Sequence, residues 1–222
     1  MSDRAAAAEG VVGACAKLFD TRAMSISGHG NFSCRLGEAR MLLTGAGMST
    51  VPRSADLALV GFDGVVVEGV VTPSTREIVG MHAAIYRCRT TAAAVVHTHS
   101  PHVTAFALAH VPLPCRYEAL LRHGQAGHVP VVPWAPRGSA ASVEGITHAL
   151  ELAPGTQAVL LGNHGLLAFG PSPAAAAALV VALEEAALAE LGAASLGGAK
   201  DFPADALEAV ASSRAASTAR PG

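Results

Sequence analysis

Leu57-Ala58-Leu59-Val60-Gly61-Phe62-Asp63-Gly64-Val65-Val66-Val67 decides how the first half of this chain folds. Two apolar runs of strand length meet at Phe62-Asp63-Gly64, and an Asp-Gly pair between such runs turns a hairpin, because glycine takes the positive φ that the turn demands. Upstream, residues 32–36 and 40–44 read as two more short strands. With no crossover helix between these runs, the segment is a meander rather than a βαβ series, and antiparallel pairing is expected.

Helices flank the meander. Residues 5–19 read as an Ala-rich helix ended by Asp20-Thr21, ahead of the Gly-rich segment Ser27-Gly28-His29-Gly30-Asn31-Phe32-Ser33. Pro73-Ser74-Thr75 reads as a helix start, with Glu77 in the first turn and the helix running to about Arg89. Then come a strand ending at His97, a helix near 101–109, a Pro-bounded strand from Val129 to Val132 and a helix from Ser139 to Leu152. Ala158–Leu161 and Leu166–Phe169 are strands around the turn Gly162-Asn163-His164-Gly165, and Pro171–Leu191 is a long helix closed before Gly192. One domain over residues 1–192 and a loosely attached tail over 193–222 are expected.

Composition narrows the function. Of 222 residues, 51% are hydrophobic and 14% charged, with a net charge of −2, so there is no basic excess for nucleic acid or anionic lipid. The N-terminus lacks the basic-then-apolar order of a signal peptide, and the apolar run from Ala174 to Leu183 meets Glu184 and Glu185 before it could span a bilayer. Cysteines at 15, 34, 88 and 115 form no C-x-x-C pair. A cytoplasmic protein acting on a small molecule is expected.

Chemistry enters at Ala94-Val95-Val96-His97-Thr98-His99. In a strand, positions i and i+2 share a face, so His97 and His99 can offer two imidazoles to one ion. His164, just after another apolar run, supplies a third, which leaves an open coordination position as in a catalytic zinc site. Such a metal can grip a hydroxyl and a carbonyl oxygen and take up charge as an enediolate forms. The seven other histidines, at 29, 82, 102, 110, 123, 128 and 148, read as surface or supporting residues, and nothing in the sequence chooses among Arg53, Arg76, Arg116, Arg122 and Arg137 as partners for an acidic substrate.

Gly30-Asn31-Phe32-Ser33, Pro73-Ser74-Thr75-x-Glu77, His97-Thr98-His99 and Asn163-His164-Gly165-Leu166, in that order over residues 5–192, resemble the class II aldolase family, which includes sugar-phosphate aldolases, a 4-epimerase and the adducin head domain. The resemblance implies an α/β fold with three layers, α/β/α, around a largely antiparallel sheet, and a homotetramer with active sites at subunit boundaries. It implies Zn²⁺ held by His97, His99 and His164, and Glu77 as acid/base. It also implies Tyr117 reaching a neighbouring subunit's site as proton donor, and a phosphate pocket built from Asn31, Gly47, Ser74 and Thr75. Two positions depart from the family pattern. Glu77 stands five residues before His82 rather than four, and Ala46 replaces a Thr or Ser that could bond a phosphate. The expected function is a metal-dependent lyase cleaving a carbon–carbon bond in a small hydroxy-ketone, such as a sugar phosphate. The alternatives are a decarboxylase, epimerase or dehydratase on the same scaffold, or a non-catalytic adducin-like binding module.

Overall fold

The computed structural model describes residues 3–24, 27, 29–210 and 212. The first two residues, residues 25 and 26, Gly28 of the Gly-rich segment and the end of the tail (211 and 213–222) lie outside it. The chain runs α1 (Asp3–Asp20), β1 (Asn31–Arg35), β2 (Arg40–Thr44), a 3-10 turn (Ser54–Asp56), β3 (Leu57–Gly61), β4 (Val66–Glu68), α2 (Pro73–Arg76) and α3 (Val79–Cys88). It continues β5 (Ala94–Thr98), α4 (Pro101–Ala109), α5 (Glu118–Arg122), β6 (Val131–Val132), α6 (Ala140–Leu152), β7 (Ala158–Leu161), β8 (Gly165–Gly170) and α7 (Pro173–Ala194).

Among the described residues one eight-stranded sheet has the order β4-β3-β2-β1-β5-β8-β7-β6. The four N-terminal strands pair as the antiparallel meander read from the Asp-Gly turn, and Gly64 sits there at φ 88°. β6 and β7 are the one parallel pair; the others are antiparallel. Strand alternation divides the core in two. Phe32, Leu42, Val96, Leu166 and Ala168 join residues of α1, α4 and α7 on one face. Met41, Val60, Val95, Leu167 and Phe169 join α3 and α6 on the other. The result is the expected three-layer α/β/α architecture. No helix among the described residues is long and apolar enough to cross a membrane.

Several local readings need correction. The helix expected over 73–89 is two helices, interrupted at Glu77 and Ile78, and its N-cap is Thr72, whose hydroxyl accepts from the Thr75 N–H. The last helix runs through Gly192 to Ala194, β6 is shorter than Val129–Val132, and α5 was not foreseen. Past α7, Asp201 pairs with Arg116 at 2.7 Å, which ties that part of the tail to the segment before α5.

His82, placed by the sequence among surface or supporting residues, is fully buried on α3 and heads a polar chain inside the core. Burial pushes its imidazole down to about 3, so the ring is neutral and carries one N–H. Nε2–H donates to the Asn31 amide oxygen at 2.6 Å, since that oxygen can only accept. Nδ1 therefore accepts from Ser33 Oγ at 2.7 Å, and Ser33 in turn accepts from the Tyr86 hydroxyl at 2.8 Å. Every proton in the chain has a defined place.

Unfolded chain takes up a proton at His82 below about pH 6.5, whereas the folded protein refuses it until about pH 3. The unfolded state thus binds more protons in that interval, and stability falls as pH falls through it, by about 1.4 kcal/mol per pH unit for one such group. His82→Gln should flatten the pH dependence of the metal-free protein's urea-unfolding free energy by about one proton equivalent between pH 6 and pH 4.5. An unchanged slope would show that His82 is not held neutral.

Candidate metal centre and active site

β5 is buried along its whole length and lies between β1 and β8, so its alternation carries His97 to the α3/α6 face, opposite Asn31 on one side and Leu167 on the other. His97 is 2% exposed. Its Nδ1–H donates to the Leu166 carbonyl at 2.9 Å, which fixes the tautomer and leaves the Nε2 lone pair free. That atom faces His99 Nε2 at 3.1 Å.

His164 arrives from the tight turn between β7 and β8. Asn163 adopts φ 55° there, its side-chain oxygen accepts from His110 Nε2 at 2.7 Å, and the His164 N–H donates to the Leu161 carbonyl at 3.0 Å. The His164 ring centroid lies 4.7 Å from that of His97 and 4.9 Å from that of His99. Ring nitrogens of all three histidines fall within 4.8 Å of one another. Gly165 makes this approach possible: a Cβ there would stand 2.7 Å from His99 Cδ2 and 2.7 Å from the Thr98 carbonyl oxygen.

Desolvation dominates the titration of the cluster. It holds His97 well below its ordinary value, His99 at about 4 and His164 lowered, so all three are neutral near pH 7 with lone pairs available. Three converging neutral nitrogens, one of them oriented by a backbone carbonyl, suit a borderline divalent ion such as Zn²⁺ with a position left open. His29 stacks on His99 with ring centroids 5.6 Å apart and lies outside the metal-ligating group.

Glu77 occupies the break between α2 and α3, half-exposed. Arg137 donates from Nε to its Oε2 at 2.9 Å and holds Nη2 2.9 Å from the same oxygen as an ion pair. The same guanidinium opposes protonation of His99 and His164, and it shares the wall of a small cavity with His164. Glu77 is therefore joined to the triad through Arg137, although it is not one of the grouped ligands.

The four residues expected to hold a phosphate are only partly assembled. Gly47 lines a cavity of about 470 Å³ together with Thr44, Ser49, Thr50 and Thr72. Asn31 lies elsewhere, 5% exposed, with its amide oxygen engaged by His82. Thr75 is buried and Ser74 exposed, and both hydroxyls bond to that of Thr72, at 3.1 and 3.2 Å. Tyr117 does not join the triad within the chain; it precedes α5, and its hydroxyl donates to Glu185 of α7 at 3.4 Å.

Beside the site, Thr72 escaped the sequence reading, and Arg137 was one of five arginines among which the sequence did not choose. Thr72 had a local signal, since a threonine directly before a proline suits an N-cap followed by N1. For Arg137 no local signal singled it out, because its position depends on contact with a residue sixty places away.

Residues 9–191 match the profile of the family described as Class II Aldolase and Adducin N-terminal domain. The chain is 31% identical over 182 residues to the 5-methylthioribulose-1-phosphate/5-deoxyribulose-1-phosphate aldolase of Rhodospirillum rubrum, covering 82% of this chain and 79% of that one. It is 30% identical over 174 residues, 75% of each chain, to the 3-oxo-tetronate 4-phosphate decarboxylase of Cupriavidus necator. Among solved structures an L-fuculose 1-phosphate aldolase superposes with a TM-score of 0.82 at 26% identity over 97% of both chains. With the profile spanning most of its length and the fold in agreement, this chain belongs to the class II aldolase and adducin family.

Proposed function

We propose that the protein is a Zn²⁺-dependent lyase that reversibly cleaves a carbon–carbon bond in a small phosphorylated hydroxy-ketone. The observation that carries this reading is the convergence of three neutral imidazoles within 4.8 Å. Relatives named as sugar-phosphate aldolases support it, and a non-catalytic adducin-like module would have no need to keep all three ligands.

His97, His99 and His164 hold the metal, which when bound supplies the positive charge that stabilises an enediolate. In cleavage the substrate hydroxyl passes its proton to the Tyr117 oxygen of a neighbouring subunit and becomes an aldehyde, and the electron pair of the breaking bond passes into the ketone. Glu77, in its protonated form, then delivers a proton to the enediolate carbon; in the reverse direction it removes one. Tyr117, about two-fifths exposed, serves the aldehyde oxygen in a neighbouring subunit's site, donating its proton as the bond forms. The turn at Gly47 and the hydroxyls of Ser74 and Thr75, with Asn31, receive the phosphate. A homotetramer in the cytoplasm completes the proposal.

A decarboxylase is the second reading, favoured by the 30% identity to the Cupriavidus necator enzyme. The two are separated by proton NMR of the zinc-loaded protein with dihydroxyacetone phosphate in D₂O. A lyase of the aldolase kind exchanges one carbon-bound hydrogen stereospecifically, and Glu77→Gln should slow that exchange by about 10²–10⁴-fold while zinc content stays unchanged. Absence of exchange from a zinc-replete protein would overturn the aldolase reading and turn attention to 3-oxo acids. His99→Ala should lose both bound zinc, measured by elemental analysis after dialysis, and exchange; full zinc retention would remove His99 from the ligand set.

A further inference from the structure

Pro136-Arg137-Gly138 passes directly over the break between α2 and α3. Gly138 has φ 76°, and a Cβ on it would lie 2.5 Å from the Glu77 carbonyl oxygen, so only glycine lets the two segments touch here. That contact delivers Arg137 to Glu77. One hydrogen bond joins them, from Nε–H to Oε2 at 2.9 Å, and Nη2 lies 2.9 Å from the same oxygen as an ion-pair contact. A guanidinium carries five donors in a planar fork, and among the described residues no other acceptor engages the remaining four. Arg137 also borders a cavity of about 20 Å³ with Met81, Trp134, Gly162 and His164.

We propose that Arg137 binds a carboxylate of the substrate beside the metal, so that the hydroxy-ketone this enzyme cleaves also carries an acid group. The proposal rests on the metal reading of the triad. Charge argues for it first. Three neutral ligands leave the charge of a divalent ion whole, Arg137 adds one positive charge, and Glu77 cancels one, so the assembled site is short of anions. Size argues second, because about 20 Å³ admits roughly one water-sized group. One oxygen of a planar carboxylate fits such a space, and the 470 Å³ cavity at Gly47 has room for a whole phosphate. Geometry argues third: the free edge of the fork can accept a carboxylate while Glu77 keeps its own contacts, so one residue sets the base and the substrate relative to each other. An arginine holding a carboxylate stabilises the anion over neutral carbon dioxide. The group it reads is therefore retained in a product, which favours carbon–carbon cleavage elsewhere in the molecule over decarboxylation.

The test is calorimetric binding of tartronate and glycolate to the zinc-loaded protein. Both can chelate a metal through a hydroxyl and one carboxylate, and only tartronate has a second carboxylate for Arg137. Wild type should bind tartronate at least about 10-fold more tightly than glycolate. Arg137→Gln should abolish most of that ratio. Arg137→Lys, which keeps the charge without the fork, should give an intermediate ratio. Glu77→Gln, which releases the fork, should raise it. Equal affinities in wild type, or an undiminished ratio in Arg137→Gln, overturns the proposal. Hydrogen exchange with dihydroxyacetone phosphate separates the two readings: exchange without a tartronate preference rejects only the carboxylate site, and a preference without exchange rejects only the aldolase reaction. A protein that takes up no zinc overturns both.

Discussion

The hydrogen bond from His97 Nδ1 to the Leu166 carbonyl is where the sheet and the site become one structure. It crosses from β5 to β8, and it exists only because those strands pair with His97 opposite Leu167. A one-residue slip would turn His97 toward α1 and α7 and bring Thr98 into its place. With the register held, the ring has one tautomer and its Nε2 points at the partner histidines. Gly165, at the first position of β8, removes the side chain that would block His99, so the backbone of the same strand both orients one ligand and makes room for another.

The two faces of the sheet carry different burdens. The α1/α4/α7 face is closed by alanine, valine and leucine, and Glu184 caps the start of α4 from α7 by accepting from the His102 and Val103 backbone N–H groups. The other face admits the chain Tyr86-Ser33-His82-Asn31, which ends across from His97. Burial raises the Tyr86 phenol and lowers the His82 imidazole, so neither changes charge near neutral pH. Next to the triad, formal charge is left to Glu77 and Arg137. A site whose supporting dipoles are fixed in advance needs little rearrangement when charge develops in a substrate.

How much of this could be read in the sequence follows from the range of each interaction. The hairpin at Asp63-Gly64, the shared face of His97 and His99 and the turn at His164 are set by residues within a few places of one another, and strand period or turn chemistry reports them directly. His82 looked like any of seven uncommitted histidines because what distinguishes it, complete burial against β1, arises only when α3 lies on the sheet. Arg137 is the same case among five arginines. The expected phosphate residues were grouped by resemblance; Gly47 borders the large cavity, and Ser74 and Thr75 bond to Thr72, which lines the same cavity.

The interruption at Glu77 and Ile78 resolves the spacing that sets this chain apart. Each helical residue turns the direction of its side chain by about 100°. On an unbroken helix Glu77 and His82 would therefore point about 140° apart, and a buried His82 would leave the carboxylate aimed away from the site. Between α2 and α3, Glu77 keeps φ −60°, ψ −31° and Ile78 departs to φ −90°, ψ −7°, so the turn changes by a local bend at Ile78. His82 keeps its place against Asn31 and Ser33, and Glu77 is free to meet Arg137 at the edge of the triad. The cost is a stretch of backbone outside regular helix, and the close approach of Gly138 to the Glu77 carbonyl packs that stretch. The break after α2 and the glycine that covers it thus belong to one arrangement, in which the carboxylate sits where Pro136-Arg137-Gly138 crosses the chain.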